Sequence, residues 1–148
     1  MIHTITTEEA QTLLAMKKVA ASNKTTYAYP DFGGKIEVPL KSEDGRECFT
    51  LDIKRKKIVL YATYQTRARE SIVLARLDLG ARHKNPDGEE IGAPHIHIYK
   101  EGYGDKFAYK LPEGMLKDPD DAWQCLLDFL KYCNIEELTN IKRGLFSK

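Results

Sequence analysis

The chain has 148 residues, 42% of them hydrophobic and 30% charged, with 23 basic and 22 acidic side chains and a formal net charge of +1. That length supports one domain, residues 1–148, with its own core, and the near-zero charge excludes a global pull towards nucleic acid, so any basic footprint must be local. No apolar run approaches the roughly 20 residues that span a bilayer, the first residues lack a signal-peptide pattern, and Cys48, Cys125 and Cys133 form neither a disulfide framework nor a zinc-finger spacing; a cytoplasmic protein with no membrane contact is the expectation.

The first element is a helix over residues 7–22. Thr6 and Glu9 have capping-box spacing, and Ala10, Leu13, Leu14, Lys17 and Ala20 or Ala21 follow at helical intervals. A polar loop from Ser22 to Gly34, with Tyr27, Tyr29 and Pro30, leads into strands. Lys35–Leu40 alternates, Ser42–Gly45 is a turn, and Cys48–Ile53 alternates with Phe49, Leu51 and Ile53 on one face. Lys54–Lys57 forms a basic hairpin loop, solvated or in contact with phosphates together with Arg67 and Arg69. Ile58–Thr66 and Ser71–Leu79 are the next strands, followed by a loop of about fourteen residues, then His95–Tyr99 and a last strand with Phe107, Tyr109 and Leu111. Asn85-Pro86-Asp87-Gly88 and Gly102-Tyr103-Gly104 are turns. At the end, Asp118 as N-cap and Pro119 at the first helical position open a helix whose stripe is Ala122, Leu126, Leu127, Leu130 and Cys133. Asn134 closes it, and Glu136–Lys142 is a short second helix. The pattern predicts an α+β domain: an N-terminal helix (7–22), an antiparallel sheet of about six strands (35–111) in a meander or half-barrel, and C-terminal helices (119–143) packed on one face.

Three of the four histidines, His83, His95 and His97, fall within fifteen residues. Histidine transfers protons near neutral pH and is the commonest metal ligand. In a strand, His95, His97 and Tyr99 share one face while Ile96 and Ile98 share the other. If Ser71–Leu79 pairs antiparallel with His95–Tyr99, Val73, Ala75, Leu77 and Leu79 face the core. Arg76 and Asp78, together with Ile72 and Leu74, then lie on the histidine face. The loop carrying Arg82, His83, Lys84 and Asn85 hangs over the end of that patch.

Two or three imidazoles beside cationic side chains suit metal-independent RNA cleavage. One histidine deprotonates the 2′-hydroxyl, another protonates the leaving 5′-oxygen, and arginine stabilises the charged transition state. His95, His97, His83 and Arg76 are the candidate catalytic residues. Arg82, Lys84 and Lys106 are candidates for holding phosphate, and Tyr99 and Tyr103 for stacking on a base. No cofactor and no metal is expected on this reading. An alternative is a metal-dependent phosphoesterase, with His95, His97, Asp78 and His83 as ligands.

The stretch Arg76-x-Asp78…His83-x-Asn85-Pro86-x-Gly88…Pro94-His95-Ile96-His97-Ile98-Tyr99-Lys100-Glu101-Gly102-Tyr103-Gly104-Asp105-Lys106 resembles an uncharacterised domain family of Gram-positive bacteria and their mobile elements, over residues 35–130. That family implies no particular activity. A looser similarity, over residues 72–99, is to the TumE-like toxins of toxin–antitoxin pairs, which place an Arg-x-Asp strand before a histidine-rich strand. This implies a small toxin-like endoribonuclease whose partners are RNA and a cognate antitoxin. The competing expectation is a non-enzymatic binding protein of a phage or mobile element that inhibits a host defence nuclease, as anti-CRISPR proteins do, or regulates a partner protein. An exposed edge strand could pair two copies into a homodimer.

Overall fold

Alternation of apolar and polar residues organises the centre of the chain. The computed structural model describes residues 4–58 and 61–144. Its elements are α1 (Thr7–Ala15), β1 (Lys18–Ala20), β2 (Tyr27–Ala28), β3 (Lys35–Ser42), β4 (Cys48–Arg55), β5 (Ala62–Ala68), β6 (Ile72–Asp78), β7 (His83–Lys84), β8 (Glu90–Ile91), β9 (His95–Ile98), β10 (Ala108–Lys110), α2 (Ala122–Tyr132) and β11 (Ile141–Lys142). Seven strands form one antiparallel sheet in the order β1-β3-β4-β5-β6-β9-β10. The result is a mixed α and β architecture of two helices and a large antiparallel sheet. On β4, Phe49, Leu51 and Ile53 are buried while Thr50 and Asp52 are half-exposed on the other side, as period-two alternation requires.

Both helices lie against the apolar side of the sheet. Ala10 and Leu13 of α1 join Cys125, Leu126, Phe129 and Leu130 of α2 in one cluster with Leu51, Ile53, Tyr64 and Leu77. Burial on this scale is the main favourable term of the fold. The opposite side of the sheet carries the polar residues. No helix among the described residues is long and apolar enough to cross a membrane. All three cysteines are free.

The structure corrects several expectations. The first helix stops at Ala15 instead of reaching residue 22. The Thr6–Glu9 capping box is present at its start, but at its other end Lys18 folds back. The Lys18 ammonium donates to the carbonyls of Leu14 (2.7 Å), Met16 (2.8 Å) and Cys133 (2.8 Å). These bonds satisfy carbonyls that a helix end leaves free, and Lys18–Ala20 then joins the sheet beside β3. Burial pulls the Lys18 ammonium down to about 8.

The predicted strand Ile58–Thr66 appears as Ala62–Ala68; its residues 59–60 lie outside those described. A bulge shifts the register between β5 and β6, so that Thr66 faces Ala75 and Arg67 faces Val73. The extra residue brings Ile72 and Leu74 into the core with Ala75 and Leu77, not onto the histidine face. At the C-terminus, Asp121 caps α2 through Gln124 N–H (3.1 Å), so Pro119 precedes the helix instead of opening it. Leu127 is exposed. Asn134 closes the helix in a left-handed conformation (φ 54°). Glu136–Lys142 is not helical: Glu136 N–H bonds Lys18 O (2.8 Å), and β11 pairs in parallel with β2. Backbone donors taken by distant strands are unavailable to a local helix.

Lys18 thus ties together α1, β1 and the end of α2. Replacing it as Lys18→Met leaves three carbonyls, one of them buried, without this donor and is expected to cost about 2–4 kcal/mol. Urea denaturation measures this; a midpoint equal to wild type would show that the ammonium contributes nothing to the fold.

Candidate functional site at the histidine end of the sheet

β6 and β9 run antiparallel with Asp78 opposite His95 and Arg76 opposite His97. All four side chains therefore stand on the polar side of the sheet, while Ile96 and Ile98 turn the other way. The rings converge on one carboxylate oxygen. His95 Nε2 and His97 Nε2 are each 3.1 Å from Asp78 Oδ2 and 3.2 Å from each other. His95 is 1% exposed and His97 0%.

The outer nitrogens of both rings are committed. His95 Nδ1 is 3.0 Å from Gly92 O and His97 Nδ1 is 2.7 Å from Asp105 O. A carbonyl oxygen only accepts, so each Nδ1 carries a hydrogen, and each ring in its neutral form presents its Nε2 lone pair inward. Arg76 Nη2 meets His97 Nε2 at 3.0 Å and Asp78 Oδ2 at 3.4 Å, while Arg76 Nη1 donates to Asp105 Oδ2 at 2.8 Å. Thr63, the cross-strand neighbour of Asp78, donates to Oδ1 at 3.1 Å. Burial alone would raise the Asp78 carboxyl; the hydrogen bonds that His95 and His97 donate from Nε2 when protonated, and the charge of Arg76, outweigh it and hold the group well below the usual carboxylate range.

The fourteen-residue loop contains a small hairpin, β7 and β8, closed by the Asn85–Gly88 turn (Gly88 N to Asn85 O, 2.8 Å). Asn85 pins this hairpin over the sheet edge. Its amide donates to Ala108 O (3.0 Å) and accepts from Ala108 N–H (2.8 Å), as a neighbouring strand would. The hairpin brings His83 against the cluster. The His83 ring is edge-on to that of His97, with centroids 4.6 Å apart, and His83 Nε2 donates to Lys106 O at 2.8 Å. In the neutral ring Nδ1 is then the acceptor. His83 is half-buried, so it is the histidine of the three that solvent reaches.

The cluster is covered on the β10 side and open on the other. Arg76 and Asp78 line a cleft of about 360 Å³ whose other walls include Lys54, Lys56, Tyr61 and Gln65. Gly80 allows Tyr61 to lie there: a Cβ on residue 80 would stand 1.9 Å from the tyrosine ring. Arg67 and Arg69 are not available to a ligand in the way the sequence suggests. Arg67 is paired with Asp52 (2.6 Å) and Arg69 with Glu47 (2.9 Å).

The structure therefore brings His83, His95, His97 and Arg76 together. Arg82 and Lys106 are exposed on the surrounding loops, and Lys84 is exposed on β7. Tyr103 is exposed, its ring edge-on to Phe107 and beneath the Lys100 ammonium. Tyr99 is corrected: it does not share the histidine face. The strand ends at Ile98, and the Tyr99 ring enters the core, its hydroxyl donating to Ile5 O (2.9 Å) and accepting from Ile5 N–H (3.1 Å). Sequence reasoning reached Asp78 only as an alternative metal ligand, and it missed Asp105, Thr63, Tyr61 and the Asn85 clamp. The Asp-Lys after the Gly-Tyr-Gly turn was the available signal for Asp105, but the loop alone does not say where it lands.

Fold and site together define a class: a small mixed α and β domain whose sheet encloses two histidines and a carboxylate beside an arginine. Residues 5–135 match a family of unknown function, DUF6978, and the chain belongs to that family. The match spans both helices and every residue of the cluster. No curated protein and no solved structure matches the chain.

Because Asn85 holds the cover in place, Asn85→Ala is expected to lose about 1–3 kcal/mol and to speed amide hydrogen exchange between residues 83 and 91 well beyond any change in β4. Unchanged exchange in the hairpin would mean that other contacts hold it down.

Proposed function

We propose that this chain is a small toxin-like endoribonuclease that cleaves RNA where the histidine cluster meets the cleft. One observation carries the reading: Arg76 and Asp78 belong both to the buried cluster and to the wall of the open cleft. Lys54 and Lys56 on that wall suit backbone phosphates, and Tyr61 offers a ring for base stacking. The order of an Arg-x-Asp strand before a histidine strand, similar to that of TumE-like toxins of toxin–antitoxin pairs, supports the same reading.

In this mechanism His83 takes the proton of the 2′-hydroxyl, whose oxygen attacks the adjacent phosphorus. The bond to the 5′-oxygen breaks and that oxygen takes a proton from water, giving a 2′,3′-cyclic phosphate and a 5′-hydroxyl. Arg76 stabilises the charge that grows on the phosphoryl oxygens. The inward lone pairs of Asp78, His95 and His97 would together hold one cation, which would supply charge stabilisation for the leaving oxygen. This revises the direct acid–base role expected for His95 and His97, because neither ring is exposed.

The same burial favours a second reading, in which the cluster only braces the sheet and the chain is a binding protein of a mobile element. The exposed Tyr109 on edge strand β10 would then belong to a protein-binding surface.

Purified chain incubated with a structured RNA separates the two. On the first reading the RNA is cut, Arg76→Ala slows cleavage about 100- to 1,000-fold, and His83→Ala slows it at least about 100-fold, with unchanged circular dichroism. An intact RNA in every lane would sink the nuclease reading in favour of the binding protein. Cleavage by a folded Arg76→Ala chain at the wild-type rate would remove the site from this part of the sheet.

A further inference from the structure

We propose that Asp78, His95 and His97 form a binding site for a divalent transition-metal ion, with Asp78 Oδ2, His95 Nε2 and His97 Nε2 as the ligand atoms. The proposal deepens the nuclease reading by naming the cationic centre, and rests on that reading for its catalytic consequence alone.

The reasoning starts from donors and acceptors. Both Nδ1 hydrogens are spent on backbone carbonyls. His97 Nε2 still has one donor, Arg76 Nη2. His95 Nε2 has none: among the described residues its neighbours are Asp78 Oδ2 at 3.1 Å and His97 Nε2 at 3.2 Å, both acceptors. A nitrogen lone pair at a 1% exposed residue, aimed at a carboxylate and at a second lone pair, is a costly arrangement unless a cation, a proton or a metal ion, sits between them.

The dimensions suit a metal ion. The three atoms form a nearly equilateral triangle with edges of 3.1, 3.1 and 3.2 Å. The corners of such a triangle lie about 1.8 Å from its centre, so an ion at the usual distance of about 2.0–2.1 Å stands about 1 Å out of the plane. The three ligand atoms keep their positions to bind it, while the Arg76 guanidinium, 3.0 Å from His97 Nε2, moves aside. The outer contacts also match, since a ligating histidine commonly donates its other N–H to a carbonyl or carboxylate.

Sheet geometry supplies the rigidity. His95 and His97 are two residues apart on β9, and Asp78 is the cross-strand partner of His95. Asp78 also lines the cleft, which gives an entry path. Imidazole and carboxylate ligands suit zinc. The Arg76 guanidinium lies beside the site and has a second anchor in Asp105 at 2.8 Å, so it can give way to the ion without losing its partner.

The test is calorimetric titration of zinc into the tag-free chain, stripped with chelator and kept free of RNA. A Cys48→Ser background removes the exposed thiol, a competing zinc ligand. One zinc per chain is expected, with visible d–d absorption when cobalt replaces it. His95→Gln and Asp78→Asn should each weaken zinc at least about 100-fold, whereas Arg76→Ala should bind it as well as wild type or better. Should either ligand variant fail to fold, ¹⁵N spectra of wild-type histidines give the answer: zinc should move the Nε2 signals of His95 and His97 and leave Nδ1 protonated. Absence of stoichiometric zinc in the wild type, undiminished binding by both folded variants, or Nε2 signals that ignore zinc would each overturn the site. Zinc binding without RNA cleavage would sink the nuclease reading alone; RNA cleavage that persists in chelator, with no zinc bound, would sink the metal site alone.

Discussion

The register in which β6 meets β9 is the constraint on which the histidine end depends. Asp78 faces His95 and Arg76 faces His97 across an antiparallel ladder. A slip of one residue would turn Ile96 and Ile98 towards the carboxylate and bury both imidazoles in an apolar core. Two features hold the register. Leu77 and Ile96 are register partners that are both buried, and the bulge upstream at Leu74 absorbs the extra residue before the functional pairs begin. The bulge lets Leu74 and Ala75 both face the core while Arg76 and Asp78 keep the polar side.

The two sides of the sheet are buried by different means. The helices cover one with aliphatic and aromatic side chains, where packing needs no directionality. At the β9–β10 end the other side is covered by short loop segments, and there the contacts are hydrogen bonds. Asn85 imitates a strand against Ala108, Asp105 offers its backbone to His97 and its carboxylate to Arg76, and His83 leans on His97. Polar groups out of water need partners at close range. That requirement explains why so much of the cluster is bonded to main chain, whose position the loops define. Over β4 to β6 the described residues supply no such cover, and the cleft begins there.

Local signals served well wherever one segment decided its own conformation. The capping box at Thr6 and Glu9, the alternation of Phe49, Leu51 and Ile53, the turn at Asn85–Gly88 and the helix end at Asn134 all stand where their residues place them. They failed where a distant partner intervened. Lys17 to Ala20 continues a helical pattern on paper, yet the Lys18 ammonium is more useful on the carbonyls of Leu14, Met16 and Cys133. Glu136 to Lys142 has helical composition but lends its backbone to Lys18 and to β2. Tyr99 follows the alternation of His95 and His97 until the strand ends one residue before it.

By itself the sequence determined the elements that short-range sterics and hydrophobic periodicity control, and it placed Arg76, Asp78, His95 and His97 on one face. Those outcomes depend on residues a few positions apart, so they are written in order along the chain. Only the tertiary structure decided that the two imidazoles are buried, that both point at one oxygen of Asp78, and that Asp105 and Gly92 hold their outer nitrogens. Donor and acceptor geometry is a matter of tenths of an ångström between segments that meet only after folding, and no spacing in the sequence encodes it.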